Sequence, residues 1–324
     1  MISRVAEHCF WLHRYIERAE NTARLLQVNF AFVLDARVPE HEQWWPLLRA
    51  LGEDERFTAA GRVPTDIDAE RVQAFLTWEP ENCGALVNSV RQARENAHAI
   101  RETISLEMWE ATNTLWLWLT GGDARRLYDR DRYAFYESVK QGCQRFHGLS
   151  YTTVSYDDPF DFMRLGALIE RADQTVRMLD TTFLRAETGA SAPDTPLWLA
   201  TLRSCSAMES YFKRARVPVS GLNVTEFLLF DLAFPRAVAH CLQRSDHFLR
   251  RIEAGAAGRQ ASATVEALLG TLRGTPPARF LDGDVHAELD RLLVGLARVT
   301  DEIVLAYFPG APVAAGVEAS SVDA

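Results

Sequence analysis

Laid over itself 153 positions out of register, the chain matches at eight positions in one gapless stretch of 17 residues. The stretch Phe10–Leu26 aligns with Met163–Leu179. The identities are Leu12/Leu165, Ile16/Ile169, Glu17/Glu170, Arg18/Arg171, Ala19/Ala172, Thr22/Thr175, Arg24/Arg177 and Leu26/Leu179. Similarity at a fixed spacing constrains the fold more than any single motif, because it implies that one structural unit is used twice. Weaker matches agree on nearly the same offset. Trp44, Leu48 and Arg49 recur as Trp198, Leu202 and Arg203, and the segment at Val72–Leu76 recurs at Val224–Leu228. The expected architecture is therefore two related helical repeats packed together, residues 1–156 and 157–307. Residues 308–324 are expected to form a disordered tail.

At 324 residues the chain is long for a single core, which favours two units sharing an interface. Helical periodicity dominates, and no run alternates apolar and polar residues as a strand does. The fold class expected is all-α. Helices are expected over residues 3–34, 41–51, 66–78, 82–119 (a long stretch with a kink), 132–154, 158–185, 197–213, 224–230, 235–254, 261–273 and 286–307. Ser3 suits an N-cap, and Asp158-Pro159 opens the second half with a cap and a proline at the first helical position.

Composition narrows the function classes. An apolar fraction of 48% with a net charge of −9 reads as a soluble globular protein and argues against a nucleic-acid partner. The apolar run 114–119 is too short for the ~20 residues a membrane helix needs. His8, Arg14, Glu17 and Arg18 interrupt the N-terminal apolar pattern that a signal peptide requires. Five scattered cysteines, odd in number and without a CxxC pair, read as a reduced cytoplasmic chain with neither disulfides nor a zinc site.

The repeat carries charge. On the first helix Leu12, Tyr15, Ile16, Ala19, Ala23 and Leu26 share one face, while Arg14, Glu17, Arg18, Asn21 and Arg24 share the other at spacings that make them neighbours. Glu170, Arg171, Gln174 and Arg177 form the matching face in the second half. Three readings stand. The faces are solvent-exposed ion pairs, each worth under ~1 kcal/mol; or their guanidinium forks bind an anion in two-point fashion; or they pair across the interface between halves as buried salt bridges. A second basic face, with Arg94, His98, Arg101 and Ser105 at helical spacing and Glu102 beside them, is either solvated or another anion contact. Two arginine-bearing faces in one compact bundle are costly to bury unless they serve each other or a ligand, so Arg14, Glu17, Arg18 and Arg24 are expected to share one cleft with at least some of Arg94, Arg101 and Glu102. Glu95-x-x-His98 has no second copy, so a carboxylate-bridged metal pair is not expected, and no metal or cofactor is assigned. His147 reads as a packed or capping histidine. The chain has no P-loop, GxGxxG, GxSxG or HExxH motif.

Six segments together resemble the bacterial Alpha-E family: Ser3-Arg-Val-Ala-Glu7, Trp11-Leu-His-Arg-Tyr-Ile-Glu-Arg-Ala-Glu-Asn-Thr-Ala-Arg24, Arg101-Glu-Thr-Ile-Ser-Leu-Glu-Met-Trp-Glu110, Phe146-His-Gly148, Phe162-Met-Arg-Leu-Gly-Ala-Leu-Ile-Glu-Arg-Ala-Asp173 and Phe227-Leu-Leu-Phe-Asp-Leu-Ala-Phe-Pro-Arg236. The resemblance implies an all-helical cytoplasmic protein encoded beside a circularly permuted ATP-grasp protein, often near transglutaminase-like proteins, in a system for peptide or amide-bond formation. Two roles follow. One is an accessory subunit that partners the ATP-grasp enzyme and binds an anionic peptide, amino acid or phosphate through the Glu-Arg faces. The other is an enzyme in its own right, with glutamate as acid/base. The chain departs from the family's Leu-Gly-Arg before each Glu-Arg-Ala, reading Leu12-His13-Arg14 and Leu165-Gly166-Ala167. A ligand site on these faces should therefore be stronger on its first-half side.

Overall fold

The computed structural model describes residues 3–35, 40–59, 67–188, 194–214, 216–252 and 256–308. Among them every regular element is a helix. The first eight are α1 (Ser3–Asp35), α2 (Glu40–Leu51), α3 (Asp54–Ala59), α4 (Ala69–Trp78), α5 (Leu86–Ala99), α6 (Leu106–Thr120), α7 (Gly122–Arg130) and α8 (Arg132–Thr152). The next eight are α9 (Asp158–Thr188), α10 (Asp194–Ser204), α11 (Met208–Arg214), α12 (Gly221–Phe230), α13 (Val238–Arg251), α14 (Ala256–Gly274), α15 (Pro277–Asp282) and α16 (Val285–Tyr307). Their order repeats: α2 and α10 start 154 positions apart (194 − 40), α4 and α12 152 apart (221 − 69), and α8 and α16 153 apart (285 − 132).

The long helices α1 and α9 pack against each other at the centre. α5 and α8 flank α1, while α13 and α16 flank α9, and α6 and α14 cover the outer sides of these pairs. The apolar core runs continuously from the first helices to the last, with no break in packing at residue 156. Because neighbours surround α1, the face bearing Glu17, Asn21 and Arg24 is as buried as the face bearing Leu12 and Ile16. Of the three readings of the charged faces, the solvent-exposed one fails here, since a helix at the centre of a bundle has no open side.

The local turns explain where the expected helix bounds shift. The stretch 82–119 is two helices rather than one, because the chain turns over residues 100–105 and Ser105 then caps α6 by accepting from the Met108 N–H at 3.1 Å. Residues 197–213 likewise divide into α10 and α11. There Ser206 takes a left-handed φ of 48°, and the Ala207 N–H returns to the Leu202 carbonyl at 2.7 Å. Gly52, 154 positions earlier, makes the same turn between α2 and α3, with φ of 69° and the Glu53 N–H on the Leu48 carbonyl at 2.8 Å. The short helices α3, α7 and α15 have too few residues to show a period. α13 begins at Val238 rather than 235, after a turn closed by the Ala237 N–H on the Phe234 carbonyl. Asp157, not Asp158, caps α9, which moves Pro159 to the second helical position. Of the tail, Phe308 is buried against Phe10 and Phe162, contrary to expectation, and residues 309–324 lie outside the described residues.

Candidate functional site

The centre of the α1–α9 contact is a reciprocal exchange of ion pairs. Arg18 of α1 reaches Glu170 of α9 in two-point fashion, Nε to Oε1 at 2.7 Å and Nη2 to Oε2 at 2.9 Å. Arg171 of α9 returns the arrangement to Glu17 of α1, Nε to Oε1 at 3.0 Å and Nη2 to Oε2 at 2.7 Å. Each glutamate also takes a second guanidinium. Arg14 donates to Glu170 at 2.8 Å and to the Thr300 hydroxyl at 3.0 Å. Arg236, from the turn before α13, donates to Glu17 at 2.8 Å and to Glu20 at 3.1 Å. Of the three readings of the Glu-Arg faces, the geometry matches the one in which they pair across the interface between halves.

The Gly166-Ala167 departure is compensated by this fourth arginine. Ala167 offers Glu17 nothing, but Arg236 supplies the second fork, so both glutamates hold two guanidiniums. Arg236 ends the Phe227–Arg236 segment, yet the offset places it opposite Cys83 (236 − 153), so the repeat did not single it out. Thr175 fixes the turn that carries it, donating to the Arg236 carbonyl at 3.0 Å.

Around Glu17 the network extends in the first half. Glu20 pairs with Arg24 and Arg236, and the Asn21 amide oxygen accepts from Arg24 and Arg236 at 3.0 and 2.8 Å. His147 brings Nε2 to 3.3 Å from Glu17 and 3.6 Å from Glu20. His13, fully buried, packs on Phe146 and His147 and has no hydrogen-bond partner on either ring nitrogen. In the second half the corresponding pair is simpler: Arg177 donates to Asp173 at 2.8 Å and lies beside the Gly52 turn.

Burial by itself would push the Glu17 carboxyl up, but Arg171 and Arg236 outweigh it and hold the group well below the usual carboxylate range. Glu170 behaves alike: burial opposes, Arg18 and Arg14 prevail, and its value falls to about 2. Burial lowers His13 well below the ordinary histidine value, helped by His147 and Arg164. Burial lowers His147 as well, against the opposing pull of Glu17 and Glu20. The centre therefore holds ionised glutamates beside neutral histidines. Glu17, Glu20 and His147 are close enough to ligate one metal ion. Their carboxylates already accept from Arg171, Arg236 and Arg24, and a cation among three guanidiniums meets like charge, so the donor set does not suit a metal.

Arg94, Arg101 and Glu102 are not brought into this centre by any described contact. Arg94 donates to Asn113 at 2.9 Å, and both Arg94 and Arg101 lie over the Trp109 ring, with Arg101 4.8 Å from its centroid. Arg101 and Glu102 occupy the turn after α5, which ends the helical spacing expected of them. The expected shared cleft is not supported: Arg94 sits on α5, Arg101 and Glu102 in the turn after it, and no described contact joins them to Arg14, Glu17, Arg18 or Arg24. Arg164 was also missed by the sequence reading, because its repeat counterpart is Trp11.

No solved structure matches this chain. Uncharacterised proteins of Mycobacterium bovis and of two Mycobacterium tuberculosis strains are 27% identical to it over 312 residues, covering 90% of this chain and 35% of theirs. The chain thus spans about a third of the length of these curated relatives. Residues 1–308 match the model of a family described as a predicted alpha-helical domain with a conserved ER motif. Glu17-Arg18 and Glu170-Arg171, two Glu-Arg dipeptides that exchange partners across the α1–α9 contact, lie within the matched residues, and the chain belongs to the Alpha-E family.

Proposed function

We propose that this protein is a cytoplasmic accessory subunit. It partners a circularly permuted ATP-grasp enzyme of amide or peptide-bond formation, and it binds an anionic peptide, amino acid or phosphate in that system. The same reading takes the chain as an internal duplication, supported by the repeated helix order. The observation that carries the functional reading is the charge arrangement around Glu17. Arg24, Arg164, Arg171 and Arg236 surround the two carboxylates of Glu17 and Glu20, leaving a surplus of positive charge that favours an anion. The carboxylates themselves carry no proton to donate near neutral pH and are weak bases, because arginines hold them ionised. An acid/base catalyst works best with a pKa near the working pH, so the glutamate-enzyme alternative loses support. In the mycobacterial relatives the matching region is a third of a longer chain, which suits a module that works beside others.

The test is co-expression with the ATP-grasp protein encoded beside it. The expected result is a stable complex and ATP-dependent ligation only when both chains are present. Turnover by this chain alone, or full activity of the ATP-grasp protein without it, would overturn the reading.

A further inference from the structure

A cavity of about 280 Å³ opens where the end of α8, the start of α9 and α13 meet, to one side of the Glu17 centre. Six of its lining residues are basic or imidazole side chains: Arg164, Arg171, His240, Arg244, His247 and Arg251. Tyr151, Tyr156, Phe160 and Phe248 supply aromatic walls, with Tyr156 and Phe160 stacked at 4.4 Å between centroids. Among the described residues no carboxylate lines it.

The charges can be balanced one by one. Arg171 is neutralised by Glu17, and Arg251 by Asp161 at 3.0 Å. Arg164 and Arg244 have no carboxylate within ion-pair distance among the described residues, and each instead lies over a ring, Arg164 over Tyr151 at 4.3 Å and Arg244 over Phe248 at 5.1 Å. Arg164 is only 5% exposed, and its Nη1 is buried without an acceptor. An unpaired buried guanidinium is costly unless a partner completes it. Two unneutralised guanidiniums match a group of charge near −2. A phosphate monoester carries about −1.5 to −2 at pH 7, whereas a carboxylate carries one charge. The aromatic walls suit a planar body, and the volume, just under the ~300–1,000 Å³ typical of ligand pockets, limits the ligand to a small one.

We infer that this cavity binds a small phosphate monoester bearing a planar ring, its phosphate held by Arg164 and Arg244 and its ring against Tyr156, Phe160 or Phe248. The inference rests on the anion-binding part of the function proposed above and not on the ATP-grasp partnership. It therefore fails separately: a complex that forms and ligates while the cavity binds nothing leaves the partnership standing.

The experiment is calorimetric titration of the full chain with phenyl phosphate, adenosine 5′-monophosphate, inorganic phosphate and benzoate. Binding of phenyl phosphate or the nucleotide is expected at least tenfold tighter than inorganic phosphate or benzoate. Arg244→Gln, at a half-buried position that carries no ion pair, should weaken that binding at least tenfold with an unchanged melting temperature. Arg164→Gln should do the same if it folds, and Arg101→Gln, outside the cavity, should leave affinity unchanged. Equal affinity for all four probes, no binding of any, or undiminished binding by Arg244→Gln would each overturn the assignment.

Discussion

Gly166 of α9 faces Phe10 of α1 so closely that a Cβ built on the glycine would collide with the Phe10 carbonyl oxygen and lie 3.3 Å from its Cα. Backbone cannot move aside as a flexible side chain does, so this contact fixes how near the two central helices come. The two-point pairs of Arg18 with Glu170 and Arg171 with Glu17 depend on that approach. Gly166→Ala should force α1 and α9 apart and cost about 1–3 kcal/mol or more, as overpacking does. Chemical denaturation measures it, and a variant as stable as the parent would show that the helices slide without cost.

Removing Glu17 and removing Glu170 should not be equivalent. Glu17→Ala strands Arg171 at the buried α1–α9 contact, leaves Arg236 only Glu20 and Asn21, and should cost ~3–5 kcal/mol, the usual penalty for breaking a buried pair. Glu170→Ala leaves Arg14 with the Thr300 hydroxyl and Arg18 with a head that is 29% exposed, so its cost should be smaller. Denaturant midpoints for both variants decide the order. Near-equal losses would mean that the two glutamates are equally enclosed in solution.

The sequence disclosed the helices and the pairing partners better than their surroundings. The offset of 153 brought Glu17 and Glu170 to light because the same backbone geometry needs the same residues twice. It could not say that the charged face of α1 is interior, since amphipathic spacing looks the same whether the polar side meets water or another helix's counter-charges. Arg236 and Arg164 escaped for the opposite reason: each serves one half only, so symmetry says nothing of it. His13 stands where its counterpart is Gly166. Its burial between Phe146 and His147 depends on α8, far away in sequence.

Acid should destabilise the protein in two stages. In the folded chain His13 and His147 lie below the ordinary value of 6.5, so unfolded histidines take up protons first as pH falls. Their contribution is complete above pH 6.5 and is lost below it, at up to about 1.4 kcal/mol per pH unit for each proton. Glu17 and Glu170 are likewise depressed, so their contribution holds above their ordinary value of 4.5 and is lost as pH falls below it, for Glu170 toward about 2. Stability measured from pH 8 to pH 4 should begin to fall near 6.5, and His13→Leu should flatten the first stage only. A flat profile down to pH 5 in the parent would mean that the histidines are not held neutral.

Neither half should fold alone, although each carries eight helices among the described residues. Without residues 157–308, α1 would lose its contact with α9, exposing apolar surface and leaving Glu17 and Glu20 without Arg171 and Arg236. Without residues 3–156, Glu170 would lose both Arg14 and Arg18, and Phe308 would lose the cover of Phe10. The apolar surface newly exposed on each side removes burial that a fold held by only ~5–15 kcal/mol cannot spare. Expressed separately, the halves should be protease-sensitive and show no cooperative transition. Expressed together, they should associate and recover one, because the pairs that close the interface are supplied reciprocally. A cooperative transition near the parent's melting temperature for either half alone would mean that the α1–α9 contact joins two finished domains rather than completing a single core.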